Sequence, residues 1–194
     1  RVALSAIDAA DAVIVSDYGS GLVTPLLVRR LKSKLTRRRR RRAIPVVIDS
    51  RYHLQRFRGC TAYTPNQSEV EEAVGVRIGD DSRLLEKAGR ALLKRTDAKG
   101  LVITRGSRGM AVFEPRRRTS HIPIFGTDEV ADVTGAGDTV IASLALALSV
   151  GASLYEAACV ANYAGGLVVM KQGTATVRNE ELVAAVKSDG VRDR

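Results

Sequence analysis

The turn at residues 132–138, Asp-Val-Thr-Gly-Ala-Gly-Asp, has the residue types for phosphoryl transfer and directly precedes an apolar helical pattern. Glycines let a backbone turn its amides toward one point, and a helix N-terminus adds positive electrostatic potential there. A carboxylate in the first helical turn, Asp138, would lie beside this anion hole and accept a proton from an attacking hydroxyl group. The alternative is structural, with Asp138 as a helix cap and the glycines in a tight turn. The length and order of the stretch favour the functional interpretation.

A second stretch, at residues 64–69, reads Thr-Pro-Asn-Gln-Ser-Glu. Asn66 as N-cap, with Glu69 three residues later, forms a capping box at the start of a helix. The same spacing would also set an amide and a carboxylate side by side, where they would hold phosphates and a hydrated Mg²⁺. Taken alone, this stretch favours the capping box.

The third stretch, at residues 104–109, reads Thr-Arg-Gly-Ser-Arg-Gly and lies between two strand patterns. An ordinary hairpin turn with glycine at positive φ explains it structurally. The functional alternative is a backbone that lets a nucleotide approach closely.

Regular elements have to position these turns, and apolar β-branched runs alternate with helical patterns along the chain. We expect strands at residues 12–16, 45–49, 61–64, 101–104, 110–113 and 119–122, and helices at residues 24–35, 66–74, 81–95, 135–150, 153–171 and 179–187. Thr24 is the expected N-cap of the first helix, with Pro25 at its first helical position. The alternation predicts an α/β fold with a mostly parallel sheet covered on both faces, as one domain over residues 1–194. Such sheets bind ligands at the carboxyl ends of their strands.

The composition limits the class of protein. The 194 residues include 45% hydrophobic side chains, enough for a core, and the longest apolar stretch, residues 140–150, is too short to span a bilayer. Cys60 and Cys159 match no disulfide framework or zinc pattern, which favours a reducing, cytoplasmic setting. Nine charges of the net +10 lie in two arginine runs, residues 37–42 and 116–118, and the rest of the chain is nearly neutral. No aromatic residues interleave with these runs, so solvated loops are favoured over a nucleic-acid surface.

Together and in this order, the three turns resemble the sugar kinases of the ribokinase (PfkB) family, and the flanking stretches resemble its heptose-7-phosphate kinases. The stretches that carry the resemblance are residues 16–21, 65–69, 132–142 and 171–176, and it extends over residues 12–187. It implies a ribokinase-like three-layer α/β/α fold. It also implies an ATP- and Mg²⁺-dependent carbohydrate kinase that phosphorylates heptose 7-phosphate at the anomeric hydroxyl, giving the 1,7-bisphosphate in ADP-heptose and lipopolysaccharide precursor synthesis. The implied partners are a small sugar phosphate and ATP, with no membrane and no nucleic acid.

By that resemblance, Asp138 is the catalytic base, and the anion hole is formed by Gly135, Ala136 and Gly137. Asp17, at the end of a strand, would face the sugar substrate. A turn or helix-capping role is the alternative for Asp17.

The resemblance also implies an ATP-binding set, formed by Asn66, Glu69, Thr104, Gly106, Ser107 and Asn162. Glu69 would organise Mg²⁺ through water. Asn162 would lie near the adenine, and a helix-packing amide is the alternative for it. Asp132 and Thr134 would bind a monovalent cation such as K⁺.

The sequence departs from the family pattern in several places. Ser20 stands where a lysine is expected, Ser50 and Arg51 follow Asp49 where Pro-Lys is more usual, and the first arginine run enlarges a short loop. Family members carry first strands, most sugar contacts and a β lid before the region that matches Arg1, and the bifunctional heptose enzyme carries an adenylyltransferase domain after it. We therefore expect this chain to be the C-terminal, nucleotide-binding portion of a kinase that is a homodimer at full length. Another PfkB carbohydrate or nucleoside kinase, an inactive truncated relic, and a nucleic-acid-binding protein remain alternatives.

Overall fold

The computed structural model describes residues 2–37, 43–126 and 132–192. The strands are β1 (Val13–Asp17), β2 (Val46–Ser50), β3 (Ala62–Tyr63), β4 (Leu101–Thr104), β5 (Met110–Phe113) and β6 (Ser120–Ile122). The α-helices are α1 (Val2–Ala6), α2 (Pro25–Thr36), α3 (Gln67–Val74), α4 (Ser82–Thr96), α5 (Ala136–Ser149), α6 (Leu154–Val169) and α7 (Asn179–Arg192). Short 3-10 helices lie at Ile7–Ala9, Leu54–Arg56 and Gly106–Arg108.

The six described strands form one sheet in which spatial order follows chain order, from β1 to β6. Strands β1 to β4 are parallel to one another, whereas β5 runs antiparallel to β4 and β6 antiparallel to β5. The carboxyl ends of the four parallel strands therefore meet at one edge of the sheet. This arrangement confirms the predicted α/β fold with a mostly parallel sheet.

Alternate strand residues face two helical layers, because successive side chains of a strand point to opposite faces of the sheet. One core joins α2, α3 and α4 to the strand residues Ile48, Tyr63, Leu101, Ile103, Ala111 and Phe113. The other core joins α5 and α6 to the strand residues Val47, Ala62, Val102, Met110 and Val112. Helices thus cover both faces, which explains why these strands read as continuous apolar runs rather than as alternating ones.

The predicted helix starts agree closely with the structure where a capping residue was visible in the sequence. Thr24 is the N-cap of α2, and its side-chain oxygen accepts a hydrogen bond from the Leu27 amide at 3.1 Å. Pro25 occupies the first helical position. The sequence analysis missed the short helices Val2–Ala6, Ile7–Ala9 and Leu54–Arg56, which are too short to show a helical period.

The second arginine run, Arg116 to Arg118, lies exposed in the turn between β5 and β6. Because β5 is antiparallel to β4, this turn is at the edge of the sheet opposite the carboxyl ends of the parallel strands. Residues 38–42 of the first run lie outside the described residues. In the described part of the chain, no helix is both long and apolar enough to cross a membrane.

Candidate active site

Two of the three predicted turns touch each other at the carboxyl edge of the sheet. Asn66, which follows β3, forms an isolated parallel bridge with Thr104, the last residue of β4. The amide of Thr104 donates a hydrogen bond to the carbonyl oxygen of Pro65 at 3.0 Å. The sheet therefore places the two stretches side by side, although they are far apart in the sequence.

The stretch after β3 forms the predicted capping box. The Asn66 side-chain oxygen accepts a hydrogen bond from the Glu69 amide at 2.9 Å, and the Glu69 carboxylate accepts one from the Asn66 amide at 2.8 Å. Burial raises the pKa of Glu69, the hydrogen bond from Asn66 opposes the rise, and the nearby Asp49 carboxylate adds to it. The predicted capping box is therefore present, and it holds the Glu69 carboxylate where burial disfavours its charged form.

A cavity of about 380 Å³ lies between the turn after β4 and the helices α5 and α6. Its lining residues are Asn66, Thr104, Gly106, Ser107, Gly109, Met110, Ile124, Val133, Ala136, Gly137, Val140, Asn162, Gly165, Gly166 and Val169. Seven predicted site residues are brought together here, namely Asn66, Thr104, Gly106, Ser107, Ala136, Gly137 and Asn162. The other six, which are Asp17, Glu69, Asp132, Thr134, Gly135 and Asp138, are not among the lining residues. A cavity with polar turns on one wall and aliphatic side chains on the other is chemically suited to a nucleotide.

The glycine turn at the start of α5 presents open backbone donors. Gly135 is the N-cap with φ +79°, in the left-handed region that favours glycine. The amide of Ala136 donates a hydrogen bond to the carbonyl oxygen of Val133 at 3.2 Å. One of the three predicted anion-hole amides is therefore already hydrogen-bonded within the protein. Within the described residues, the amides of Gly137 and Asp138 have no hydrogen-bond acceptor. Asp138 itself is exposed in the first turn of α5.

Asp132 ties this turn to the loop after α6. Its carboxylate accepts hydrogen bonds from the Thr134 amide at 2.8 Å and from the Gly173 amide at 3.2 Å. These bonds stabilise the charged form and lower the pKa of Asp132, with the side chain and backbone of Thr134 as the largest causes. Asp132 and Thr134 are therefore adjacent, as a shared cation site would need, and their present role is to shape the turn.

The turn between β4 and β5 is a hairpin turn that also lines the cavity. Gly106 and Gly109 have φ values of +57° and +71°. A Cβ atom on Gly109 would lie 2.0 Å from the carbonyl oxygen of Ile122, so only glycine fits there. The hairpin interpretation is therefore confirmed, and the same tight turn leaves Gly106 and Ser107 at the cavity wall, where the predicted nucleotide contact would be made.

Asp49, near the end of β2, is a functional candidate that the sequence analysis did not identify. Burial raises its pKa, and the Asp138 carboxylate raises it further, while Asp49 in turn raises the pKa of Glu69. At the carboxyl edge, the Asp49 carboxylate is thus repelled by Asp138 on one side and by Glu69 on the other. The sequence feature that could have identified Asp49 is a charged residue near the end of a buried parallel strand.

The carboxylate side chains at this edge of the sheet fit the Mg²⁺ predicted from the sequence. Among the described residues, no three His, Cys, Asp or Glu side chains are arranged to hold a metal ion by themselves. Magnesium is usually held by one or two carboxylates, together with water and substrate phosphates. Asp49 and Glu69, half-buried and close enough to repel each other, form such a donor set.

Asp17 and Asn162 both make structural hydrogen bonds. The Asp17 side chain is 4% exposed and accepts from the Ser50 hydroxyl at 2.9 Å and from the Gly19 amide at 3.0 Å, which is the turn role that the sequence left open. The Asn162 amide donates to the carbonyl oxygen of Pro123 at 2.8 Å while the residue lines the cavity. Asn162 therefore combines the helix-packing role with a place at the predicted nucleotide site.

Sequence comparison relates this chain to a family of carbohydrate kinases. A sequence model described as pfkB family carbohydrate kinase matches residues 2–181. The bifunctional protein HldE of Methylococcus capsulatus is 43% identical over 175 residues, which is 90% of this chain and 35% of that protein. HldE of Geobacter sulfurreducens is 42% identical over 180 residues, which is 92% of this chain and 36% of that protein. The chain therefore spans about a third of the length of these curated relatives.

Solved structures of sugar kinases share the fold. Ribokinase from Arabidopsis thaliana, in a complex with ribose and ATP, superposes with a TM-score of 0.80 at 21% identity, over 96% of this chain and 59% of that one. Phosphofructokinase-2 from Escherichia coli, in a complex with potassium, superposes with a TM-score of 0.73 at 20% identity, over 91% of this chain and 56% of that one. The fold of the chain is thus ribokinase-like.

Proposed function

The chain belongs to the pfkB family of carbohydrate kinases, and from this premise we propose that it is the nucleotide-binding portion of a heptose-7-phosphate kinase, forming one domain over residues 1–194. The reaction moves the γ-phosphoryl group of ATP to the anomeric hydroxyl and gives the 1,7-bisphosphate, a precursor for ADP-heptose. The similarity to the HldE proteins and the stretches at residues 16–21 and 171–176 support this substrate. Because ATP is the donor, we place the reaction in the cytoplasm.

One observation supports the kinase chemistry above the others. The cavity that contains Asn66 and Ser107 extends to the start of α5, where the amide of Gly137 is open and Asp138 stands in the same helical turn. A bound nucleotide would occupy the cavity with its phosphates toward this helix N-terminus, which favours negative charge.

The proposed step uses groups of this chain. Asp138 accepts the proton of the acceptor hydroxyl while the hydroxyl oxygen attacks the γ-phosphorus. The new O–P bond forms as the bond between the γ-phosphorus and the bridging oxygen of ADP breaks, and ADP leaves. The amides at the start of α5 stabilise the charge on the transferring phosphoryl group, because they are fixed by the fold before the reaction begins.

Two cations complete the proposal. Glu69, together with Asp49, would hold Mg²⁺ through water, and the ion would neutralise phosphate charge during transfer. Asp132 and Thr134 would hold a monovalent cation such as K⁺ beside the glycine turn, and through that turn it would act on the anion hole.

The test compares phosphoryl acceptors using the protein that contains this chain. Heptose 7-phosphate, ribose, fructose 6-phosphate and adenosine are each supplied with Mg-ATP, ADP release is followed, and the product is identified by ³¹P NMR. We expect the highest kcat/KM with heptose 7-phosphate and a new phosphorus signal coupled to the anomeric proton. A tenfold higher kcat/KM for another acceptor would identify that acceptor, and not heptose 7-phosphate, as the substrate. Mg-ATP binding without transfer to any of these acceptors would contradict the kinase proposal and support nucleotide binding alone.

A further inference from the structure

Gln67 follows Asn66 directly and lies at the centre of a hydrogen-bond network beside the cavity. Its side-chain oxygen accepts from Nε of Arg105 at 3.1 Å and from a terminal nitrogen of Arg108 at 3.2 Å. Its side-chain nitrogen donates to the carbonyl oxygen of Gly79 at 2.8 Å and to the Glu71 carboxylate at 3.2 Å. The amide group thereby uses both donor hydrogens and both acceptor directions.

The partners of Gln67 belong to separate segments of the chain. Arg105 and Arg108 flank Gly106 and Ser107 in the turn after β4, whereas Gly79 belongs to the loop between α3 and α4. Arg108 also bonds the Gly79 carbonyl oxygen at 2.8 Å and pairs with Asp80. One side chain therefore fastens the turn after β4 to the start of α3 and to the loop beyond it.

The loop partner is itself fixed from α3. The Glu71 carboxylate accepts from the amides of Ile78 and Gly79 at 2.8 and 3.1 Å. These bonds, with the Ile78 amide as the largest cause, lower the pKa of Glu71 and keep it charged. Gln67 therefore bonds to an already ordered loop, and the arginines bond to a fixed oxygen.

We propose that Gln67 is a positioning residue that sets the distance between Asn66 and Ser107 across the nucleotide cavity, an inference that rests on the proposed function of this site. Backbone contact between Asn66 and Thr104 already joins the two segments at the sheet. Gln67 adds a second connection further from the sheet, on the side of Ser107. The backbone bridge alone would let the turn after β4 rotate about it. The hydrogen bonds of Gln67 prevent this rotation, so the two cavity walls keep their separation.

The test replaces Gln67 with methionine, which keeps the side-chain volume and removes all four hydrogen bonds. Because hydrogen bonds to charged groups are the stronger ones, we expect the affinity for a non-hydrolysable Mg-ATP analogue to fall by about 5- to 30-fold in calorimetry. We also expect amide exchange to accelerate about tenfold at Arg108 and Gly109, whose amides close the turn. At saturating ATP, kcat should stay within threefold.

Glu86→Gln is the matched control. The Glu86 carboxylate accepts from Arg90 at 2.8 Å and from the Thr119 hydroxyl at 2.5 Å, so it joins α4 to the turn after β5 in a similar network outside the cavity. This variant should accelerate exchange only around Thr119 and leave nucleotide affinity unchanged.

Arg108→Met removes the link from its other end and carries the test if the Gln67 variant does not fold. Because Gln67 and Arg108 act through one link, the double variant should bind within twofold of the weaker single variant. Nucleotide affinity of Gln67→Met within twofold of the wild type would overturn the inference. If the wild type itself does not bind the analogue, the proposed function fails, and unchanged exchange in the turn would then separately refute the role of Gln67.

Discussion

Asp138→Asn changes one carboxylate oxygen in the first turn of α5 to an amide and leaves the side-chain size nearly constant. The side chain is exposed and makes no hydrogen bond within the described residues, so the folded structure should tolerate the change. Loss of a negative charge at a helix N-terminus costs about 0.3–1 kcal/mol of stability. Nucleotide affinity should be unchanged or a few-fold higher, because one charge that repels the triphosphate is gone.

The expected loss is in turnover. General-base catalysis is worth about 10²–10⁴ in rate, which corresponds to about 2.7–5.4 kcal/mol of activation free energy. The assay measures kcat for ADP release in the protein that contains this chain and, separately, the dissociation constant of a Mg-ATP analogue. We expect kcat to fall by the full factor while the dissociation constant stays within threefold.

Glu180→Gln provides the control, since Glu180 is an exposed acidic residue in the first turn of α7. It should lose a similar small amount of stability and keep full turnover. A kcat for Asp138→Asn within threefold of the wild type would remove Asp138 from the base role. An activity loss that appears only as weaker nucleotide binding would show that the carboxylate acts in binding.

Three further predictions concern the framework of the site. Gly109→Ala should lower the free energy of unfolding, measured in urea, by about 3 kcal/mol or more, because the added Cβ atom clashes with backbone and the residue has a positive φ. Gly79 also has a positive φ but has open space around it, so Gly79→Ala should lower the same free energy by about 1 kcal/mol. Equal losses in the two variants would contradict the steric argument. Asn66→Ala and Ser153→Ala each break a capping box and should each cost about 0.5–2 kcal/mol of stability, but only the Asn66 variant should lose affinity for the Mg-ATP analogue; equal affinities would leave Asn66 as a cap alone. Asp49 has a raised folded-state pKa, so the folded state binds the proton more tightly and stability falls as the pH rises above the unfolded value near 3.8. Asp49→Asn should therefore raise Tm at pH 7 and not at pH 3, and weaken Mg²⁺-dependent nucleotide binding; a lower Tm at pH 7 would show that the charged form is well compensated.

Local signals predicted the elements and turns whose cause lies within a few residues. Thr24 before Pro25, and Asn66 three residues before Glu69, identify helix starts because the capping hydrogen bonds join near neighbours. The glycine turn before α5 is equally local. These features depend on backbone geometry that short sequences specify.

Features that depend on the assembled sheet could not be predicted from the sequence. Asp49 approaches Asp138 only because β2 ends near the start of α5, a contact between distant segments. The Asp17 carboxylate turns toward Ser50 on the neighbouring strand, which no pattern in either strand indicates. The network around Gln67 likewise depends on segments that meet only in the fold.

The strand order also bears on how the chain reaches this structure. Crossovers between neighbouring parallel strands are almost always right-handed, so a sheet that grows in one direction collects α2, α3 and α4 on one face. Among the described residues, the opposite face, with Val47, Val102 and Val112, is covered by α5 and α6, which are synthesised after all six strands. A sheet with one apolar face exposed to solvent during translation is prone to aggregation and to chaperone binding. Because α5, which helps to close this face, also carries the proposed anion hole, we expect competence to bind nucleotide to appear in the same kinetic phase as the second core.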